Sequence, residues 1–251
     1  MASVLNLGER LEAVVELCPQ SHKVADIGCD HGFVSAELIL EDKAEYVVAT
    51  EKSEECLNKA ILLADAINIS DFISFRQGDG INALTKYDKI DCAIIAGMGG
   101  QEIINILEER PHRLYDFVLQ PMKDAPMLRA YLMQSGFRIL VDKLVKENGK
   151  FYDVIATTHG WEELADLEIY FGKTNFTENY EIFYEYLTEK QKKLLDLKAN
   201  VGELSKKMQA ELDSVEEALK LFENNQDSGE DGDDGEYGDS NYYDNVEGSQ
   251  E

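Results

Sequence analysis

Val24-Ala-Asp-Ile-Gly-Cys-Asp-His-Gly32 is a short apolar run that stops at a glycine straddled by two carboxylates, Asp26 and Asp30. Ile94-Ile-Ala-Gly-Met-Gly-Gly100 answers it with a second apolar run ending in three glycines. A buried strand feeding a glycine turn, seen twice, builds a ligand crevice at the carboxyl edge of a parallel sheet.

Outward from these turns, strands and helices alternate. Leu5–Leu17 has helical spacing and is closed by Pro19; Lys23–Ile27 is a strand and Phe33–Leu40 a helix. Strand Tyr46–Thr50 ends at Glu51, helix Ser53–Ile67 follows, and strand Ile73–Arg76 leads into the turn Gln77-Gly-Asp-Gly80. Strand Ile90–Ala96, helix Gln101–Glu109 and strand Phe117–Gln120, stopped by Pro121, continue the pattern. Helix Met127–Ser135 and two strands, Phe137–Val145 and Phe151–Thr158, joined at Asn148-Gly149, complete it. The expectation is an α/β, doubly wound sheet with helices on both faces and an antiparallel edge.

After Gly160 the composition shifts. Leu194, Leu197, Val201, Leu204, Met208, Leu212, Val215, Leu219 and Phe222 step by three or four residues, a coiled-coil-like stripe. One helix or a hairpin broken at Gly202 both satisfy it. The expected division is 1–160 for the ligand-binding domain, 161–222 for a helical coiled-coil domain and 223–251 for a disordered acidic tail.

No run approaches 18 apolar residues and no secretory signal is visible, so a cytoplasmic protein without a membrane span is expected. Cys18, Cys29, Cys56 and Cys92 form no CxxC pair, which suggests reduced thiols, no metal site and no disulfide framework. The net charge is −26, and eleven Asp or Glu from Glu223 onward leave −15 on residues 1–222. Indiscriminate nucleic-acid binding is thereby excluded; any such site must be a local basic patch.

Three signals follow in the order a nucleoside cofactor requires. Gly28 ends the first strand, where a missing side chain admits a ligand closely. Glu51 ends the second, 23 residues later, where a carboxylate can take both ribose hydroxyls. Asp79 and Gly80 follow the third, within reach of an adenine amine. A dinucleotide would need its pyrophosphate on glycine-lined amides, but Asp26 and Asp30 would repel it. The same two carboxylates suit the cationic ammonium and sulfonium of S-adenosyl-L-methionine, which makes the crevice a methyltransferase site. The fourth strand carries Ala96-Gly-Met-Gly-Gly100 and lacks the Asn/Asp-Pro-Pro-Tyr/Phe clamp of many amino-directed methyltransferases.

Asp26-Ile-Gly-Cys-Asp-His31, Ala96-Gly-Met-Gly-Gly100 and Leu119-Gln-Pro121, in that order, resemble the TrmK family of tRNA adenine N1-methyltransferases. The likeness runs over about residues 5–222 and includes a helical tail like that family's C-terminal coiled-coil domain. It implies a Rossmann-like class I methyltransferase that uses S-adenosyl-L-methionine to methylate N1 of adenine-22 in the tRNA D-arm. It also implies that Asp26, Gly28, Glu51, Asp79, Gly80 and Gly97 bind cofactor and that Asp30 and His31 stand at the reaction centre; Met98, in the same glycine motif, and Arg10, for the cofactor carboxylate, are further candidates for cofactor binding. Cys29 stands where serine is frequent, Gly32 where alanine is, Cys56 where proline is, and Met122 where asparagine often follows Gln-Pro.

Each residue also has a blander reading: Asp30 as a helix cap, His31 as a structural hydrogen-bonding residue, Arg10 as a surface residue, Gln120-Pro121 as a strand stop. Candidate tRNA contacts are Arg110, His112, Arg113, Lys123, Arg129, Lys143, Lys146 and Lys150, with Lys190, Lys192, Lys193, Lys198, Lys206 and Lys207 on the tail. Phosphate contacts of this kind position an RNA without reading it. A monomer is favoured. The alternative function is a non-catalytic, cofactor-binding scaffold acting through its helical tail.

Overall fold

The computed structural model describes residues 5–110, 114 and 116–227. The expected contacts His112 and Arg113, and residues 228–251 of the expected tail, lie outside the described residues.

Among the described residues, β1 (Ser21–Ile27), β2 (Ala44–Glu51), β3 (Ile73–Gln77), β4 (Cys92–Met98), β5 (Phe117–Pro121), β6 (Phe137–Glu147) and β7 (Lys150–His159) form one sheet in the order β3-β2-β1-β4-β5-β7-β6. The first five run parallel and β7 is antiparallel to both its neighbours. Strand order reverses between β1 and β4, which opens the crevice at their carboxyl ends. Val24 lies opposite both Val47 and Cys92, so the apolar run of β1 is the sheet's centre.

The helices cover both faces. α1 (Glu9–Leu17), α2 (Phe33–Leu40) and α3 (Glu54–Ala66) bury their apolar residues with one face of the sheet, and α4 (Gly100–Glu108) and α5 (Ala125–Gln134) with the other. α1 starts at Glu9 rather than Leu5 because Asn6 (φ 54°) and Gly8 (φ 85°) are left-handed and cannot continue a helix. β4 begins two residues later than expected: left-handed Lys89 turns the chain, and Ile90 and Asp91 precede the ladder. At the β6–β7 hairpin, Asn148 (φ 50°) and Gly149 (φ 73°) both have the positive φ that a type I′ turn demands.

Beyond the sheet come α6 (Asp166–Phe171) and a 3-10 turn at Thr174–Phe176, neither expected, then α7 (Tyr180–Val201) and α8 (Lys206–Asp227). The helical stripe is therefore a hairpin, broken at Gly202 (φ 86°), with Val201 exposed at its tip. Helical backbone reaches Asp227 and so enters the stretch expected to be disordered from 223; no glycine or proline interrupts it before Gly229. Phe171, Phe183, Leu187, Val215, Ala218 and Phe222 form a core of their own, which meets the sheet at Leu144 of β6.

Candidate active site

The crevice is a cleft of about 760 Å³ at the carboxyl ends of β1 to β4, capped by α1. All ten sequence-predicted residues line it: Arg10, Asp26, Gly28, Asp30, His31, Glu51, Asp79, Gly80, Gly97 and Met98.

Asp26, the penultimate residue of β1, is buried, and Ser35 Oγ of α2 donates to its Oδ2 at 2.5 Å. Burial pushes its carboxyl up to about 6 against the pull of the Ser35 hydrogen bonds. Beyond β1 the chain turns through Gly28 (φ 75°) and Asp30 (φ 49°). A Cβ at Gly28 would run into the methyl end of the Met98 side chain, which lies against this glycine in the cleft wall. The open backbone is at Gly97 (φ 80°), where an added Cβ would meet nothing within 4 Å.

Gly97 is the extra residue of a bulge: Ala96 pairs with Gln120, and Met98 already with Pro121. The Gly97 N–H, lost to the ladder, donates instead to Gln120 Oε1 at 3.1 Å. The same oxygen accepts from Arg10 Nη1 at 2.7 Å. Gln120, fully buried, is thus the bracket between α1 and the bulge and more than a strand stop. Arg10 is half-buried and turned toward the cleft, which corrects its surface reading.

Asp30 does not cap α2, whose N-cap is Gly32 with no side-chain hydrogen bond. Its amide donates to Glu51 Oε2 at 3.1 Å, and its carboxylate meets His31 Nδ1 at 2.7 Å. Burial pushes the Asp30 carboxyl up, but hydrogen bonds from His31 and Cys56 outweigh it and hold it below the usual carboxylate range. Glu51 also accepts from Ser53 N at 2.8 Å, so two loop amides fix its carboxylate at the cleft wall. Asp79 pairs with Lys52 at 3.0 Å, both largely exposed.

Cations are few in the cleft and carboxylates many, with Glu102 and Glu109 adding to the four already named. Such a lining favours a ligand that carries positive charge. Gln120 and Ser35 hold Arg10, Gly97 and Asp26 in place, a role the sequence alone does not assign them. A glutamine inside the apolar run Phe117-Val-Leu-Gln120 was the available signal, whereas Ser35 gave none.

Several expected RNA contacts are engaged elsewhere. Arg129 is fully buried between Asp142 and Asp153 and cannot touch RNA. Lys143 pairs with Glu16, Lys146 with Glu185 and Glu189, Lys190 with Glu211 and Lys193 with Glu189. Arg110 lies over the Phe137 ring, 4.5 Å from its centroid.

Residues 7–155 match the methyltransferase-domain family. The tRNA (adenine(22)-N(1))-methyltransferase of Bacillus subtilis is 32% identical over 164 residues, which are 64% of this chain and 68% of that protein. A Streptococcus pneumoniae crystal structure, described as a candidate tRNA (m1A22) methyltransferase in complex with S-adenosyl-L-methionine, superposes with a TM-score of 0.77 at 26% identity over 84% of this chain and 98% of that one. The M. capricolum TrmK structure with S-adenosyl-homocysteine, at 21% identity, shares the fold with a TM-score of 0.77 over 86% of this chain and 98% of that one.

Proposed function

This chain belongs to the TrmK family of tRNA (adenine(22)-N1)-methyltransferases, and we propose that its cleft carries out that family's reaction, methylation of adenine-22 N1 in the tRNA D-arm with S-adenosyl-L-methionine as donor. The observation that carries the reading is convergence. Residues from the ends of β1, β2, β3 and β4, and from α1, meet in one acidic cleft with bare backbone at Gly97.

S-adenosyl-L-methionine, when bound, supplies a methyl group on a cationic sulfur. Asp26 is the buried carboxylate for the cofactor's cationic end. The remaining lone pairs of Glu51 can accept two ribose hydroxyls, and Asp79 an adenine amine. Arg10, steered by Gln120, presents its guanidinium for a carboxylate. Adenine N1 carries a free lone pair at neutral pH, so the chain need not supply a base to create the nucleophile. Its task is alignment, worth orders of magnitude when the reacting atoms are held in line. Asp30 accepts from the target adenine's N6–H and offsets the positive charge that grows on the ring. His31 holds that carboxylate in place. Met122, at the cleft's lip, has no hydroxyl, amide or carboxyl group to hydrogen-bond the base.

The division of labour is part of this proposal: residues up to about 160 perform the chemistry, and the hairpin, as a short antiparallel coiled coil, helps seat the RNA in a monomeric, cytoplasmic enzyme. Incubation with labelled S-adenosyl-L-methionine and unmodified tRNA, followed by mapping of N1-methyladenosine, tests the reading. Label at position 22 is expected. Cofactor binding without transfer to any tRNA would overturn it in favour of the scaffold.

A further inference from the structure

A second cavity, of about 600 Å³, opens where the sheet meets the helical hairpin. One side is the β5–α5 loop and the start of β7; the other is the end of α6 with Tyr186 and Lys190 of α7 and Lys207 and Glu211 of α8. Met122 lines both this cavity and the cofactor cleft, so the two adjoin along one edge of the molecule.

The walls are fixed in advance. Arg129 Nη1 donates to the carbonyls of Ile169 and Tyr170, at 3.3 Å each, and its guanidinium pairs with Asp153. Phe151 stands edge-on to Tyr186 with centroids 5.2 Å apart. Lys190 donates to the Tyr186 hydroxyl at 2.8 Å and pairs with Glu211 at 2.7 Å, which laces α7 to α8.

Inside this frame apolar surface is left uncovered: Tyr170 is 40% exposed, Met122 47% and Met127 38%. Scattered exposed apolar residues mean little, but three lining one cavity form a patch. Lys123, which lies over Gly99 on the sheet side, and Lys207, on the hairpin side, are exposed and form no ion pair among the described residues. Asp153 and Glu211 already have cationic partners, so only Asp124 stands against these two lysines.

Rings with lysines at the lip are the chemistry of single-stranded nucleotide binding: the base stacks and the phosphate meets an ammonium. The volume is that of a small-ligand site, too small for a duplex. We propose that this cavity holds an unpaired nucleotide of the substrate RNA flanking the target adenosine, its base on Tyr170 and its phosphate between Lys123 and Lys207. The assignment rests on the tRNA reading above. A target base drawn out of its stack leaves its neighbour without one face of stacking, and this cavity offers that neighbour a replacement surface beside the reaction site.

The test uses the full chain and unmodified tRNA, with tRNA Kd, kcat and cofactor Kd measured in parallel. Tyr170→Ala is expected to weaken tRNA binding by about tenfold, Tyr170→Phe to bind like the parent, and both to keep the parent's cofactor Kd. The double variant Lys123→Gln with Lys207→Gln should reduce the slope of log K against log salt by about 0.7–0.9, the share of one phosphate. If Tyr170→Ala and the double lysine variant bind tRNA like a parent that methylates it, the cavity is no RNA site and the methyltransferase reading stands. A Phe variant as weak as the Ala variant also overturns the assignment. A parent that transfers no methyl group to tRNA ends both readings together.

Discussion

Asp30 occupies the left-handed region, φ 49°, where alanine is strained and asparagine is tolerated. A variant that tests its charge must therefore keep its backbone. Asp30→Asn is expected to lower kcat by about 10²–10³, the size of effect seen when a group that meets transition-state charge is lost, and to leave cofactor Kd within about threefold. Single-turnover methylation beside calorimetry measures both, and a parallel loss would move Asp30 from catalysis to cofactor binding. Asp26 makes a different prediction, because burial has pushed its carboxyl up to about 6. A cationic ligand end prefers the ionised form, so binding pulls this carboxyl back down and releases a proton. Affinity should then rise with pH, by about tenfold between pH 5 and 7 as the ionised fraction grows from about one tenth to about nine tenths. Asp26→Asn should flatten that profile, measured by calorimetry in buffers of different ionisation heat. A flat profile in the parent would remove Asp26 from the cationic end of the cofactor.

Elements carry what single residues cannot. The apolar runs at Val24–Ile27, Val47–Thr50 and Ile94–Ala96, each ending at a glycine or a carboxylate, made the parallel sheet and its crevice legible, because a central strand has no polar alternation to disguise it. The Asn148-Gly149 turn was legible for the same local reason. Gln120's bracket was not, since it exists only once β5 lies beside the β4 bulge and α1 crosses above. Arg129 misled in the opposite direction. On a helix that begins after Pro121 it reads as a surface cation, yet α5 turns it inward to Asp142 and Asp153 and to two carbonyls of α6. Burial alone would lower its pKa, but the two aspartates hold the guanidinium charged. Arg129→Met leaves Asp142 buried and unpaired, so a loss of about 3–5 kcal/mol is expected. Urea unfolding of the two proteins checks it, with the midpoint shifting and the slope unchanged. A loss under about 1 kcal/mol would mean that Asp142 accepts protonation at little cost.

At the scale of the whole molecule, charge poses the problem that any RNA-handling reading must answer. The chain carries −26, and nine of its carboxylates fall within residues 228–251, a stretch without a single Lys or Arg. Many lysines of β6 and the hairpin are already paired with glutamates, so they add little net positive field. RNA must then approach a molecule that repels it at long range and rewards it only at a few close contacts. Repulsion of this kind acts on the association rate and decays with the Debye length, about 10 Å at 0.1 M salt and about 3 Å at 1 M. Converting the nine carboxylates of 228–251 to their amides keeps chain length and removes nine negative charges. The association rate for tRNA should rise by about tenfold at ~0.02 M salt, and the advantage should vanish by ~0.5 M. The dissociation rate and kcat should stay put, because a long-range field does not touch contacts already made. Stopped-flow association at several salt concentrations separates the outcomes. A gain that persists at ~0.5 M would mean that the tail occupies the RNA contacts themselves, and no gain at low salt would show that the acidic tail has no part in substrate encounter.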